Sequence, residues 1–70
     1  MPLVIAPLNQ ELQVIKILAD DKVKKHLESL GITIHSNITV LNQSKGSVIC
    51  KVKEGRLALD RNIAVKIVVA

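Results

Sequence analysis

One stretch of the chain has the apolar spacing of an α-helix. Val23, Leu27 and Leu30 follow one another at intervals of four and three residues, which places them in one stripe along a helix. Asp20 or Asp21 can cap its start, because a carboxylate there accepts hydrogen bonds from free backbone N–H groups and faces the positive end of the helix dipole. The spacing therefore predicts one amphipathic helix that packs its apolar stripe against a sheet.

Gly31 marks the end of this predicted helix. The residue just past a helix often adopts positive φ, which glycine does without a Cβ penalty. Ile32 follows at the position where a Schellman ending has an apolar residue, within reach of Leu27. We expect the helix to stop at Gly31.

The other apolar positions predict short β-strands. A first strand lies within Leu12–Leu18, and its alternation breaks at Val14-Ile15 and at Ile17-Leu18, which is typical of a bulge or of a strand partly buried on both faces. Four further strands are predicted after the helix, at 38–41, 48–53, 56–59 and 65–69.

The segments between these elements contain turn residues. Residues 1–10 are expected to be extended, since Pro2 and Pro7 prevent regular pairing, with Leu3, Val4 and Ile5 on the surface or filling an open end. His35 is expected at positive φ in the loop 33–37. Three further connections are predicted: a hairpin at 42–47, a two-residue turn at Glu54-Gly55 and a helical or 3₁₀ turn at 60–62.

Five strands in a chain this short usually bend into a small barrel, which removes the exposed sheet edges. The order strand, helix, strand, hairpin, hairpin, helical turn, strand predicts a mainly β fold: an SH3-like five-stranded barrel with one inserted helix. Residues 1–70 are expected to form a single domain.

Composition restricts the partners. No residue is Phe, Trp or Tyr, whereas surfaces that bind single-stranded nucleic acid or proline-rich peptides usually depend on aromatic rings. The net charge of +4 permits an acidic partner, and the region from Lys45 to Arg61 is its most one-sided part. A small barrel that binds nucleic acid is therefore an alternative function, but we predict no nucleic acid partner.

Catalysis has no support in the sequence. The serines lack a Gly-x-Ser-x-Gly elbow, and the isolated glycines cannot form a phosphate-binding loop. Cys50 alternates with Val48 and Val52, so it is predicted to be a buried core thiol rather than a nucleophile. The chain is not expected to be an enzyme.

Metal binding also lacks a motif. His26, His35 and Cys50 have no ligand spacing such as His-x₃-His or Cys-x₂-Cys, so no metal ligands are assigned. A transition-metal-responsive domain stays open as a second alternative. A lone cysteine is typical of a reducing compartment, and the apolar N-terminus lacks the length of a membrane span and the charge of a signal peptide. A cytoplasmic protein without direct membrane insertion is expected.

Two runs of residues resemble a known family. Residues 27–32, Leu-Glu-Ser-Leu-Gly-Ile, followed by Ile38-Thr39-Val40, are similar to the helix ending and next strand of the FeoA family. Residues 55–59, Gly-Arg-Leu-Ala-Leu, with Ala64, Ile67 and Val69, look like that family's closing elements. The resemblance covers nearly the whole chain.

The resemblance implies a function in iron homeostasis. FeoA proteins are small cytosolic accessories of FeoB, the membrane ferrous-iron permease with a cytosolic GTPase domain. It implies that this chain acts in bacterial Fe²⁺ uptake by protein–protein contact with that domain, with no cofactor and with Fe²⁺ only as the transported ion. The exposed residues expected to make contact are Lys22, Lys25, His26, Ile34, His35, Lys45, Lys53 and Arg56.

The chain departs from the family pattern in two places. Ile34-His35 stands where the family often has Pro-Gly, so the turn there is expected to be less sharply fixed. The hairpin 42–47 is shorter than the family's loop, which commonly contains Pro and Gly. A difference in partner or in binding mode would follow if that loop makes contact.

Overall fold

A computed structural model describes residues 1–53 and 55–70. A 3₁₀ turn at Leu3–Ile5 precedes the regular elements, which in chain order are β1 (Glu11–Ile17), α1 (Asp21–Ser29), β2 (Asn37–Gln43), β3 (Ser47–Val52), β4 (Gly55–Asp60), α2 (Arg61–Ala64) and β5 (Ile67–Val69). The five strands form one antiparallel sheet in the order β4-β3-β2-β1-β5. The predicted mainly β architecture with one helix after the first strand is confirmed.

A β-bulge in β1 explains the break in its alternation. Val14 pairs with Val69 and Lys16 with Val68, so Ile15 is the extra residue between them. The bulge changes the phase of the strand: Leu12, Val14 and Ile17 are all buried, while Ile15 is 45% exposed. One strand can therefore pair with β2 through its first half and with β5 through its second.

Helix α1 begins as its sequence predicts. Asp20 is the N-cap, and its Oδ1 accepts a hydrogen bond of 2.9 Å from the Val23 N–H. Leu27 is fully buried, whereas Val23 and Leu30 are partly buried against the same core. The apolar stripe thus faces the sheet.

The helix ends in a Schellman motif at Gly31. Gly31 has φ of 90° and donates its N–H to the Glu28 carbonyl at 2.9 Å. Ile32 donates to the Leu27 carbonyl at 2.9 Å, and both of these side chains are fully buried. A Cβ built on Gly31 would lie 3.2 Å from Val52 Cγ1, a tight contact that the valine side chain would have to relieve by a small shift.

The core is a single aliphatic cluster. Buried residues from every strand, α1, α2 and the 3₁₀ turn belong to it, among them Leu3, Leu27, Ile38, Ile67 and Cys50. In the described part of the chain no buried side chain is polar or charged. A chain without aromatic residues thus fills one core with Val, Ile and Leu.

The N-terminal segment differs from the extended lead-in that was expected. The Pro2 carbonyl accepts a hydrogen bond from Ile5 N at 3.1 Å, which closes a 3₁₀ turn. The turn buries Leu3 completely and leaves Ile5 exposed. The prediction of extended structure was wrong because the turn lets Leu3 join the core cluster, and burial of this aliphatic side chain stabilises it.

The turn between β3 and β4 was predicted one residue too late. Gly55 pairs with Val52 and begins β4 instead of supplying positive φ, which Lys53 adopts at 57°. Glu54, the other half of the predicted turn, lies outside the described residues. The register has a physical cause, since it places Leu57 opposite Cys50 on the buried face of the sheet.

Other boundaries shift in similar ways. β2 extends to Gln43, because a bulge at Leu41 lets Asn42 pair with Ile49 and shortens the predicted hairpin 42–47 to residues 44–46. Val65 follows α2 as its C-cap, so the last strand begins only at Ile67. The predicted positive φ at His35 is confirmed at 76°.

Closure of the sheet is incomplete. β5 is joined at its outer side by the bridge from Pro2 to Val68. Across the described residues, 1–53 and 55–70, no ladder joins β4 to another strand besides β3. The expectation that a barrel removes both edges is therefore wrong for β4.

We expect Gly31→Ala to lower the free energy of unfolding by about 1–2 kcal/mol, because an L-residue is strained in the left-handed region. The new Cβ would also press on Val52 Cγ1 at 3.2 Å. Chemical denaturation of the purified protein measures the loss. Gly46→Ala is the matched control, since its Cβ would meet nothing within 4 Å. Equal stability of the two variants would contradict the assigned helix end.

Candidate functional site

An open groove lies beside helix α1. It has a volume of about 290 Å³ and is lined by Ile17, Lys24, Glu28, Thr33 and Ile34. These residues come from the end of β1, from one side of α1 and from the loop that follows the helix. We call these five residues the α1 groove.

Helix α1 supplies two charged side chains to the α1 groove, because residues four apart lie on the same side of a helix. Lys24 and Glu28 are four residues apart and therefore lie one above the other on one flank of α1. This flank borders the stripe whose centre is the buried Leu27. The groove thus has a lysine and a glutamate at its edge and isoleucine side chains within it.

Internal hydrogen bonds fix the loop from Thr33 to Ser36. Ser36 Oγ donates to the Thr33 carbonyl at 2.7 Å and accepts from the Thr33 N–H at 3.0 Å. The serine hydroxyl thus closes the turn that contains Ile34 and His35 by local hydrogen bonds.

The same loop is tied to β1. His35 N–H donates to the Val14 carbonyl at 2.7 Å, and Val14 N–H donates to the Ser36 carbonyl at 2.8 Å. The left-handed φ of His35 turns its N–H towards the strand. Ile34 is left 48% exposed at the groove, held in place by backbone bonds on its C-terminal side.

The predicted contact residues lie in several places. Only Ile34 lines the α1 groove, with Lys25 on the adjoining outer face of the helix. Lys22 and His26 lie on the opposite flank, since they are offset by two residues from Lys24 and Glu28. All of them are exposed or half-exposed.

Lys53, Arg56 and Lys45 lie farther along the sheet. A Cβ built on Gly31 would be 3.9 Å from Lys53 Cε, so the Lys53 side chain reaches the end of α1. Arg56 lies on β4 opposite Lys51. Lys45 precedes the opposite end of β3. The six residues of that strand span about 20 Å, at about 3.3 Å per residue. The predicted residues therefore do not form one surface.

Sequence reasoning missed four of the five residues that line the α1 groove: Ile17, Lys24, Glu28 and Thr33. Two signals pointed to them. The break at Ile17-Leu18 placed an isoleucine at the end of β1, and the four-residue spacing from Lys24 to Glu28 placed two charges beside the apolar stripe. Neither signal shows that these residues line a common groove.

The groups that could perform chemistry are isolated. Burial raises the pKa of the Cys50 thiol from 9.0 to about 11, and the side chain is fully inaccessible. Such a thiol is a core residue and not a nucleophile. Among residues 1–53 and 55–70, no three His, Cys, Asp or Glu side chains lie close enough together to hold a metal ion.

Known proteins match this chain along its whole length. A model of the FeoA domain matches residues 1–70. A protein of Methanocaldococcus jannaschii named as an Fe(2+) transport protein A is 37% identical over 68 residues, which cover 97% of this chain and 83% of that protein. The chain belongs to the FeoA family. This membership confirms the prediction of a non-enzymatic accessory protein.

Solved structures of FeoA proteins have the same fold. A crystal structure of an iron uptake regulatory protein, FeoA, has a TM-score of 0.87 and 29% identity, and the match covers 99% of this chain and 92% of that one. The solution structure of iron(II) transport protein A from Clostridium thermocellum has a TM-score of 0.89 at 15% identity, with 99% and 44% covered. The predicted SH3-like fold is confirmed.

The FeoA fold also occurs in a regulator. A manganese-dependent transcriptional repressor matches with a TM-score of 0.85 at 21% identity, covering 96% of this chain and 39% of the repressor. At this identity the likeness concerns the fold alone. Within residues 1–53 and 55–70 of this FeoA chain, no helix has the length and apolar character that crossing a bilayer requires.

We expect Cys50→Ala to remove one component of the pH dependence of stability. Above about pH 9 the unfolded thiol loses its proton, whereas the folded thiol keeps it until about pH 11. The unfolded state then binds fewer protons, so the free energy of unfolding falls as pH rises through this window and is unaffected by the thiol below it. Urea denaturation near pH 8 and near pH 10 measures the slope. Identical slopes for both proteins would contradict the burial of Cys50.

Proposed function

We propose that this FeoA protein docks on the cytosolic domain of a FeoB-type GTPase permease and influences its GTPase or permeation step. The observation that carries the proposal is the match to the FeoA domain over residues 1–70, together with the 37% identity to a protein named for Fe(2+) transport. The FeoA resemblance implies such a permease as the partner. Protein–protein contact is the means by which a non-enzymatic accessory acts.

The α1 groove is the contact surface that we propose. Its volume of about 290 Å³ is just below the range of about 300–1,000 Å³ that small-molecule pockets span. A groove of this size can receive one or two side chains of a protein partner. Ile34 is the anchor, because it is half-exposed, apolar and held by the hydrogen-bonded turn at Thr33 and Ser36.

The charged edge of the groove supports a defined orientation of the partner. Lys24 and Glu28 carry opposite charges one helical turn apart, so a partner must present the reverse order of charges to meet both. Lys25 adds a positive charge on the adjoining face. Such surface charges contribute more to the association rate and to specificity than to affinity, and salt weakens their effect.

Iron is the cargo of the permease in this proposal, and the FeoA chain carries no cofactor of its own. The cytoplasm is the compartment that the proposal requires, since the GTPase domain of the partner is cytosolic. An effect on GTP hydrolysis requires that FeoA bind one conformation of the permease more tightly than another. Equal affinity for both conformations would leave the permease unchanged.

We expect Ile34→Asp to weaken binding to the GTPase domain of the cognate permease by about 10- to 100-fold. Burial of an isoleucine side chain contributes about 1.5–3 kcal/mol, and a charged replacement would also have to be desolvated. NMR titration of the labelled FeoA protein with that domain measures the affinity. It also identifies the residues whose resonances shift.

Ile5→Asp is the matched control. Ile5 is 66% exposed and lies in the N-terminal 3₁₀ turn, away from the residues that line the groove. We expect this variant to bind like the native chain. A complete lack of shifts at high concentration of the GTPase domain, together with normal iron uptake in a strain that lacks FeoA, would reject the proposed function. Equal weakening by both substitutions would reject the groove as the contact surface.

A further inference from the structure

Strand β4 has an open outer edge in the part of the chain that the structure describes. It is the last strand in the sheet order, and among the described residues only β3 pairs with it. For Gly55–Leu59, the hydrogen bonds of the described chain include none that joins a backbone group to anything outside the β3–β4 ladder. Open edges of this kind are templates for another strand.

The register of the hairpin shows which groups face outwards. Two residues separate Val52 from Gly55, and the pair that closes such a hairpin exchanges backbone hydrogen bonds. Because bonded and non-bonded pairs alternate in an antiparallel ladder, Cys50–Leu57 and Val48–Leu59 are bonded as well. The residues between them, Arg56 and Ala58, therefore turn their N–H and C=O groups towards the free edge.

In one symmetric register, all the outward N–H and C=O groups of Arg56 and Ala58 can pair with a second copy of β4. If two copies of β4 pair antiparallel about Ala58, Ala58 lies opposite itself and Arg56 lies opposite Asp60 of the second copy. The two-fold axis repeats the Arg56–Asp60 pair on the other side. Ala58 at the centre has a small exposed side chain, so two of them can lie close together on the outer face.

The charged side chains on this edge are complementary between two copies of the chain, whereas within one copy Arg56 faces a like charge. Arg56 lies directly opposite Lys51 of β3, and like charges at such positions are destabilising. Asp60 lies opposite the uncharged Ser47 and uses only Oδ1 to cap α2, at 2.7 Å from Asn62 N. Charged residues on an edge usually prevent pairing, but here their signs are complementary between copies.

We propose that the β4 edge is a self-association surface, through which two copies of this FeoA chain join their sheets in a two-fold symmetric dimer with Arg56 against Asp60. The surface is separate from the α1 groove and independent of the proposed contact with a permease. The ladder has only five opposed residue pairs, and we expect it to bury less than the roughly 1,200 Å² at which specific interfaces begin, so the dimer is weak and exchanges rapidly. We expect it to form at protein concentrations of about 0.1–1 mM.

The test combines a dilution series with charge variants. The amide resonances of residues 55–60 are expected to shift with protein concentration. The amide resonances of the residues that line the α1 groove are expected to stay in place. Arg56→Glu places two carboxylates together at each end of the ladder and relieves the contact with Lys51, so it abolishes the shifts without unfolding the chain. Asp60→Asn keeps a good helix cap and removes the charge pair, so it weakens association by about three- to tenfold.

Lys16→Glu is the control with the same change of charge. Lys16 is exposed on β1, three strands away from β4 in the sheet order, and its replacement is expected to leave dimerisation intact. In a mixture of labelled and unlabelled protein, the native chain is expected to show a contact between the Hα atoms of Leu57 in one copy and Leu59 in the other. Absence of concentration-dependent shifts, or equal loss with Lys16→Glu and Arg56→Glu, would overturn the proposal. Shifts centred on any other surface would overturn it as well.

Discussion

The left-handed backbone at Gly31 is the constraint on which most of this structure depends. It ends α1 so that Ile32 N–H bonds back to the Leu27 carbonyl, and it leaves the Val52 side chain of β3 close to Gly31, where a Cβ would make a tight contact of 3.2 Å. Both contacts join the one long helix to the sheet. Without a positive φ at this position, the chain could not turn sharply enough to start the loop that leads into β2.

A second constraint, the bulge at Ile15, completes the groove. It changes the phase of β1 so that Ile17 is buried and lines the groove together with two side chains of the helix. The loop after α1 is then fixed on that strand by the His35 and Val14 backbone groups. Backbone geometry and two aliphatic side chains thus form the groove beside α1. Its charges belong to Lys24 and Glu28, which the helical repeat places on one side of α1.

Local patterns predicted the elements better than their arrangement. The stripe through Leu27, the stop at Gly31 and the broken alternation near Ile15 each reflect a local rule, so the helix and the bulged strand could be found in advance. The burial of Leu3 and the exact hairpin register depend on packing partners distant in sequence. The groove was missed for the same reason, because Ile17 and Ile34 meet only when the sheet is folded.

Family membership and groove geometry together support a docking function for this FeoA protein. The most direct test is photo-crosslinking in cells that carry the cognate permease, with p-benzoylphenylalanine in place of Ile34 or, for comparison, of Lys45 at the far end of β3. We predict a covalent adduct with the permease from position 34 and none from position 45. An adduct from position 45 alone, or none with the permease from either position, would contradict the proposal.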